Sequence, residues 1–363
     1  MSRHKSLSAP VQPGGTIGIL GGGQLGRMLA LAAARLGLKT HIYSDEDNAP
    51  AFQVSAFRTH ARYDNEAALA AFAGACDVVT FEFENVPSAT AEFLADHVPV
   101  NPSPKALAVC QDRLAEKNFV ASLGLKTPVF ASVASPNDAA AAIATVGTPA
   151  ILKTCRLGYD GKGQAKVASS DDIVKALAAF KGAPSILEAF VDFSFEASVV
   201  AARGADGIFA AYDPPENAHE NHILKRSTVP SRLSAAQVTE AKAIARKIAD
   251  AFGYVGVFAV ELFVGRDGSL LVNEIAPRVH NSGHWTIEAC IVSQFEQHIR
   301  AVAGWPLGDG SRHSDAVMEN LIGAEANDWK ALSARGGALH LYGKSQARAG
   351  RKMGHITWLK PKS

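Results

Sequence analysis

Long apolar runs are missing from this sequence. None reaches the ~20 residues that a membrane-crossing helix needs. The start MSRHKSLSAP also lacks the apolar core of a secretory signal, so residues 1–13 read as a short disordered tail. Cysteine is scarce: Cys76, Cys110, Cys155 and Cys290 are scattered, with no CxxC among them. That excludes a disulfide framework and fits a reduced, cytoplasmic setting. Net charge is almost nil, +1 overall, so the balance gives no reason to expect nucleic acid as a partner. Internal repeats and low-complexity linkers are absent.

What remains is a 47% hydrophobic chain of 363 residues, too long for one ordinary core, and two or three domains are expected. It is organised around residues 260–284, VELFVGRDGSLLVNEIAPRVHNSGH. Two apolar runs flank Gly265-Arg266-Asp267-Gly268, the pattern of a hairpin. Each run carries one glutamate, Glu261 and Glu274, and a lone carboxylate on a core-facing strand is costly unless something positive meets it. Antiparallel pairing around the turn brings the two onto neighbouring strands, with Asn273 beside them. Such hard oxygens suit a magnesium ion shared with nucleotide phosphates. Pro277 stops the ladder, and Arg278, His280, Asn281 and Ser282 follow as an anion-binding cluster. His280 and His284 have the spacing of a zinc pair, but no glutamate follows the first and Gly283 intervenes, so zinc is disfavoured.

Taken in order, Thr16–Leu20 is a short strand, GGGQLG (21–26) a glycine-rich turn and RMLALAAARLG a helix. The strand Thr40–Tyr43 then ends near Asp45. That is a fair dinucleotide fingerprint, although such a turn binds any phosphate. A third strand, Asp77–Phe81, delivers Glu82 and Asn85 to the crevice position, where they can face Gly23, Gln24 and Leu25. Val98–Asn101 reads as a last strand closing the first domain. Lys153 closes an apolar strand, where a lysine needs a partner. Residues 157–164, LGYDGKGQ, form a mobile glycine-rich flap whose amides can reach phosphates: Gly158, Tyr159, Asp160, Gly161, Lys162, Gly163 and Gln164. Glu188, Ala189, Phe190 and Val191 then Glu196 form a strand–bend–strand hinge fit for a nucleoside, the backbone of Ala189 and Val191 meeting an adenine edge and Glu196 the ribose. Residues 235–252 form an amphipathic helix ending at Gly253, and Trp285–Gly304 a further helix. Lys344, Arg351 and Lys352 lie between two C-terminal strands and suit a phosphate monoester.

These parts resemble the ATP-grasp superfamily. GGGQLGRM, FEFENV, GYDGKGQ, GYVGVFAVELF, NEIAPRVHNSGHWT, NLIG and GRKMGH narrow the resemblance to the ATPase subunit of phosphoribosylaminoimidazole carboxylase, also called 5-(carboxyamino)imidazole ribonucleotide synthase. The resemblance implies an α/β and α+β architecture: a Rossmann-like pre-ATP-grasp domain over 14–111, a small lid domain over 112–192, and a large domain with a C-terminal β element over 193–363. It implies an ADP-forming ligase of purine synthesis. ATP phosphorylates bicarbonate to carboxyphosphate, and the amine of aminoimidazole ribonucleotide becomes a carbamate.

On this resemblance Arg113, Lys153 and the flap hold ATP phosphates, Glu188–Val191 adenine, and Glu196 with His219 the rest of the nucleoside. Asn273 joins the ATP site, and Glu261 and Glu274 hold Mg2+. Tyr159, Asp160, Lys162, Arg278, His280 and Asn281 serve catalysis. Gly23, Gln24, Leu25, Glu82, Asn85, Ser282, Lys344, Arg351 and Lys352 help bind substrate. A homodimer, and a mutase that takes the product, are further implications. One departure stands out: the flap has Lys162 where relatives often carry arginine, and lysine cannot copy a bidentate contact. Two rivals remain open, a formate-using glycinamide ribonucleotide transformylase and, from another class, an NAD-dependent dehydrogenase.

Overall fold

The computed structural model describes residues 5–158 and 162–363. Tyr159, Asp160 and Gly161 of the flap lie outside these residues.

The first layer is a parallel sheet with helices against it. Its strands are β1 (Thr16–Leu20), β2 (Lys39–Ser44), β3 (Phe57–His60) and β4 (Val78–Phe81). Their order is β3-β2-β1-β4, with every pair parallel. Helices α1 (Gln24–Arg35), α2 (Glu66–Gly74) and α3 (Ser88–Ala95) make the crossovers. Ile17, Ile19, Val78 and Val79 are fully buried, as expected of strands covered on both faces. The strand expected at Val98–Asn101 reduces to one bridge, Val79 with Val100. Pro99 and Pro102 stand on either side of that position and supply no amide hydrogen to extend the ladder.

Residues 5–13, expected as a tail, lie along the body. The Lys5 amide donates to the Ala95 carbonyl and the Val11 amide to Ala303. The Trp305 indole donates to the Val11 carbonyl at 2.7 Å, and Val11 itself is buried. A polar composition concealed one apolar anchor.

Two helices connect to the rest, α4 (Pro104–Cys110) and α5 (Arg113–Ser122). The Asp112 carboxylate caps α5 by accepting from the Leu114 and Ala115 amides, both at 3.0 Å. The sequence boundary at 112 assigns α5 to the lid. The structure packs it on the large domain: Val120 shares a core with Val260 and Ile275, and the Lys117 ammonium donates to the Asn273 carbonyl at 2.6 Å. The lid sheet itself begins at β5 (Phe130–Val133). After α6 (Ala139–Val146) it continues with β6 (Ala150–Thr154) and β7 (Gln164–Val167), and after α7 (Ser170–Ala179) it ends with β8 (Ser185–Ala189). The order is β5-β8-β6-β7, antiparallel throughout.

The large sheet starts at β9 (Phe193–Arg203), with β10 (Phe209–Ala211), β11 (Glu216–Glu220) and β12 (Ile223–Val229). Helix α8 (Ala235–Phe252) follows, opened by a Ser234–Gln237 capping box and closed by Gly253 in the left-handed region, φ 57°. Then come the central hairpin strands β13 (Gly256–Gly265) and β14 (Leu270–Ala276). The single helix expected over Trp285–Gly304 is two: α9 (Thr286–Ala289) and α10 (Gln294–Val302). Cys290 leaves the helix in extended conformation to bridge Arg312, and Ser293 caps the restart. The C-terminal strands β15 (Ser314–Ile322), β16 (Ala338–Leu341) and β17 (Lys352–Pro361), with α11 (Trp329–Ser333) between β15 and β16, extend this same sheet. Its order is β14-β13-β9-β11-β12-β15-β17-β16.

His298, on α10, ties the first domain to the large sheet. Its Nδ1 accepts from the Val257 amide at 3.0 Å, so Nε2 carries the hydrogen and donates to the Thr80 hydroxyl at 2.8 Å. Burial pushes its pKa down to about 3. In the unfolded chain the ring titrates near its ordinary value, about 6.5. The neutral ring therefore contributes its full stability above about pH 6.5. That contribution is lost by ~1.4 kcal/mol per pH unit as pH falls from there toward about 3. His298→Gln is expected to lose stability at neutral pH, and urea melts between about pH 7 and 4 should show the gap to the parent narrowing with acid.

Candidate active site

A cleft of about 1280 Å³ runs between the lid sheet and the large sheet. Its floor is the central hairpin. Register pairs Glu261 with Glu274 across β13 and β14, as the hairpin pattern required. Each carboxylate has a partner of its own. Glu274 meets Arg113 at 3.2 Å, and Glu261 meets the His280 Nε2 at 3.1 Å. Burial pushes Glu261 up, but the His280 hydrogen bond and charge, with His219 and Lys352 farther off, bring it down to about 2. Both carboxylates face the cleft as hard oxygen donors. Their chemistry fits a divalent cation such as magnesium.

The opposite wall carries Lys153 and Glu188. The lysine ends its apolar strand as expected and finds its partner at 2.9 Å. Lys117 closes a triad, 3.6 Å from the same Glu188 oxygen. Burial raises Glu188, and the two lysines outweigh it, so the carboxylate stays ionised. Its other oxygen, Oε1, is buried with no hydrogen-bond partner. Sequence reading missed Lys117: in DRLAEKNFV it looks like an ordinary helical lysine, and only packing shows it 2% exposed. Glu116 beside it is buried as well, accepting from the Ile275 amide at 2.9 Å, and burial with Glu274 nearby raises its pKa.

Phe190 and Val191 line the cleft at the hinge between β8 and β9. The Ala189 amide is committed to the Val129 carbonyl, which removes that hydrogen from any ligand-reading role. Glu196 and His219 face each other at 2.7 Å from β9 and β11. Arg113 also donates to the Gly158 carbonyl at 2.7 Å, tying the start of the flap to the Glu274 side. Lys162, Gln164, Asn273, Asn85 and Lys352 line the same cleft. The Gly163 carbonyl, at the return of the flap, accepts from the Thr154 amide.

At the inner end, Arg278 pairs with Glu84, whose carboxyl burial pushes up and the guanidinium holds down, to about 2. Glu84 was overlooked in FEFEN in favour of its neighbours. Asn281 is buried, and neither its Nδ2 nor its Oδ1 has a partner. A buried amide with both ends unmet is costly unless a ligand meets it. Ser282 does not line the cleft. It sits behind it, its hydroxyl at 2.6 Å from Ser198 and 2.8 Å from the His280 Nδ1, fixing the ring that faces Glu261.

The glycine-rich turn departs from expectation. The Glu82 carboxylate accepts from the Gly23 amide at 2.7 Å and from the Gly26 amide at 3.1 Å. The acceptor at this helix N-terminus is the chain's own side chain, a buried carboxyl whose pKa burial raises. A Cβ at Gly21, where φ is +102°, would stand 2.5 Å from the Glu82 Cγ, and one at Gly23 would stand 2.7 Å from its Oε1. The glycines make room for a side chain, and a dinucleotide pyrophosphate would find these amides taken. Gln24 and Leu25 open α1 away from the cleft lining.

Lys344 and Arg351 come together in a smaller pocket of about 240 Å³, with Arg348, Ser345 and Gln346 on the same loop and Glu46 and Asn48 from the first domain. Arg351 lies here while its neighbour Lys352 lines the main cleft, so the two pockets adjoin. Burial and the nearby Arg351 bring Lys344 down to about 8.

Three domain models match the chain: a ribonucleotide synthetase preATP-grasp domain over residues 15–111, an ATP-grasp domain over 118–295, and a phosphoribosylaminoimidazole carboxylase C-terminal domain over 316–363. An N5-carboxyaminoimidazole ribonucleotide synthase of Brucella melitensis is 52% identical, covering 97% of this chain and 98% of its own. The structure of an N5-carboxyaminoimidazole synthetase from Staphylococcus aureus complexed with ADP superposes with a TM-score of 0.93 at 36% identity, over 98% of this chain and 96% of that one. An Aspergillus clavatus N5-carboxyaminoimidazole synthase in complex with ADP and 5-aminoimidazole ribonucleotide does so with a TM-score of 0.90 at 34% identity, over 96% and 95%.

The Lys117–Glu188 contact is expected to be energetically coupled. Lys117→Met should cost about 2–3 kcal/mol in urea melts, because it uncovers a buried carboxylate and two carbonyls. The double variant Lys117→Met/Glu188→Gln should cost less than the sum of the single losses by more than ~1 kcal/mol.

Proposed function

The chain belongs to the N5-carboxyaminoimidazole ribonucleotide synthases, ADP-forming ligases built on the ATP-grasp fold, and from that premise we propose how its own residues carry the reaction. The reaction joins bicarbonate to the amine of 5-aminoimidazole ribonucleotide at the expense of ATP. The observation that carries the reading is the pair of adjoining pockets: an acidic and basic cleft of nucleotide size, and beside it a cationic pocket fit for a phosphate monoester.

ATP enters between the sheets. The Val191 backbone takes the adenine edge, and Glu196 with His219 takes the ribose. Lys153 and Arg113 meet the phosphates, and the flap from Gly158 to Gln164 folds over them. Glu261 and Glu274 would hold magnesium, which when bound neutralises charge on the phosphates during phosphoryl transfer. Arg278 and the Asn281 amide hold bicarbonate near the γ-phosphate. A bicarbonate oxygen attacks the γ-phosphorus, ADP leaves, and carboxyphosphate forms. It breaks to carbon dioxide and phosphate. The aminoimidazole nitrogen then attacks the carbon dioxide and loses a proton to give the carbamate. Carboxyphosphate hydrolyses readily, so exclusion of water by the flap is itself a catalytic requirement. His280, held by Ser282 and paired with Glu261, keeps one carboxylate ionised and in place. Lys344 and Arg351 hold the ribonucleotide phosphate. The reading extends to a cytosolic homodimer that hands its carbamate to a mutase.

The filled amides of the glycine-rich turn speak against the dehydrogenase rival. The transformylase rival is tested directly. ADP release should require aminoimidazole ribonucleotide and bicarbonate together, and should not respond to formate with glycinamide ribonucleotide. Glu274→Gln should lower kcat by about 10²-fold or more. ADP release with the formate pair alone would overturn the reading.

Lys344 predicts a pH effect. It is protonated below about 8 and neutral above, so the KM for the ribonucleotide should climb as pH rises through that value while the KM for ATP stays flat. Lys344→Ala should raise that KM by about tenfold, equivalent to ~1.4 kcal/mol, already at neutral pH.

A further inference from the structure

Outside the cleft lies a second cluster of ligating side chains, at the seam where the C-terminal strands meet α9. Register pairs His340 on β16 with His355 on β17, and His355 in turn with Asn320 on β15. A cross-strand row projects to one face of the sheet. Helix α9 packs there and brings Glu288. The rings of His340 and His355 stack at 4.4 Å, 6° from parallel. The Glu288 Oε1 lies 2.6 Å from the His340 Nε2. One ligand atom from each of Glu288, His340 and His355 falls within 4.8 Å of the others.

The hydrogen-bond account of this seam does not close. His355 is fully buried, its Nδ1 lies 2.8 Å from the Tyr342 hydroxyl, and its Nε2 has no partner. The Glu288 Oε2 is buried without a partner, and so is the Oδ1 of Asn320. Unmet buried acceptors at one place call for a cation. Tyr342 supplies what an orienting partner of a metal-bound imidazole supplies: it fixes the ring and leaves the other nitrogen for the metal. The neighbouring His284 ring, 4.9 Å from His355, is turned to Gln294 through its Nδ1 and stays out of the set.

We propose that Glu288, His340 and His355 form a binding site for a zinc-class divalent cation that clamps the C-terminal strands to the ATP-grasp body. Two imidazoles and one carboxylate are the ligand set of a borderline-soft ion, unlike the all-oxygen pair Glu261 and Glu274. The fourth position is left to water on the partly exposed His340 side. In the absence of metal the His340–Glu288 hydrogen bond and the ring stack close the site, and binding an ion turns the His340 ring so that its in-plane lone pair converges with that of His355. The clamp bears on function because β16 and β17 flank the loop carrying Lys344 and Arg351. Metal binding would hold that loop in register with the cleft.

The test uses the full chain, stripped with a chelator and kept in excess magnesium so that the oxygen site is occupied. Zn2+ and Co2+ are titrated separately. The result expected is one tightly bound ion per chain by elemental analysis, a rise in Tm, and the visible d–d absorption of tetrahedral or five-coordinate cobalt. Glu288→Gln and His340→Gln should each weaken binding by more than ~10-fold. Glu274→Gln should leave it unchanged. Glu288→Gln preserves shape and serves if His340→Gln folds poorly. No stoichiometric binding, or binding that survives both ligand substitutions, would overturn the proposal.

Discussion

Two carboxylates can stand on facing interior strands only if each has a hydrogen-bond donor against it. The register of β13 and β14 puts Glu261 opposite Glu274, and much of the surrounding structure follows from that. Arg113 is delivered to Glu274 by the start of α5, and His280 to Glu261 by the turn after β14. Desolvation would otherwise force protons onto the carboxylates. Partly exposed to the cleft, they are the hard oxygens that suit magnesium shared with phosphates.

The same logic recurs on the opposite wall, where Lys153 and Lys117 hold Glu188. Lys117 does more than balance charge. Its ammonium also reaches the Asn273 carbonyl, so one buried cation spans the lid strand β8 and the hairpin strand β14. That is why α5 packs with the large sheet, although it precedes the lid in sequence. Lid and floor of the nucleotide cleft share a single electrostatic hinge-pin. The seam at Glu288, His340 and His355 differs in kind: its acceptors outnumber its donors, and it lies against the strands that present the phosphate loop.

Several elements were legible in the chain itself. The hairpin of residues 260–276, the α8 helix with its Gly253 stop, and the lysine at the end of β6 each follow from local pattern and the cost of burying charge. The NEIAPRVHNSGHWT and GYDGKGQ resemblance added the activity. The missed features were those in which a residue's partner is distant in sequence. The glycine-rich turn looked like a phosphate cradle, yet Glu82 fills it from 59 residues away. The helix expected from Trp285 was cut because Cys290 bridges Arg312. Ser282 was assigned to substrate but serves His280 from behind.

The sequence by itself determined which residues carry charge into apolar surroundings, where strands and helices alternate, and the family whose chemistry this chain performs. Those depend on local periodicity and on composition within a few residues. Tertiary structure alone decided which cation meets which carboxylate, whether a backbone amide is offered to a ligand or spent on a side chain, and that Lys344 and Arg351 converge beside the cleft. Electrostatic partnership is set by distance in space and by desolvation, and neither is written in the spacing of residues along the chain.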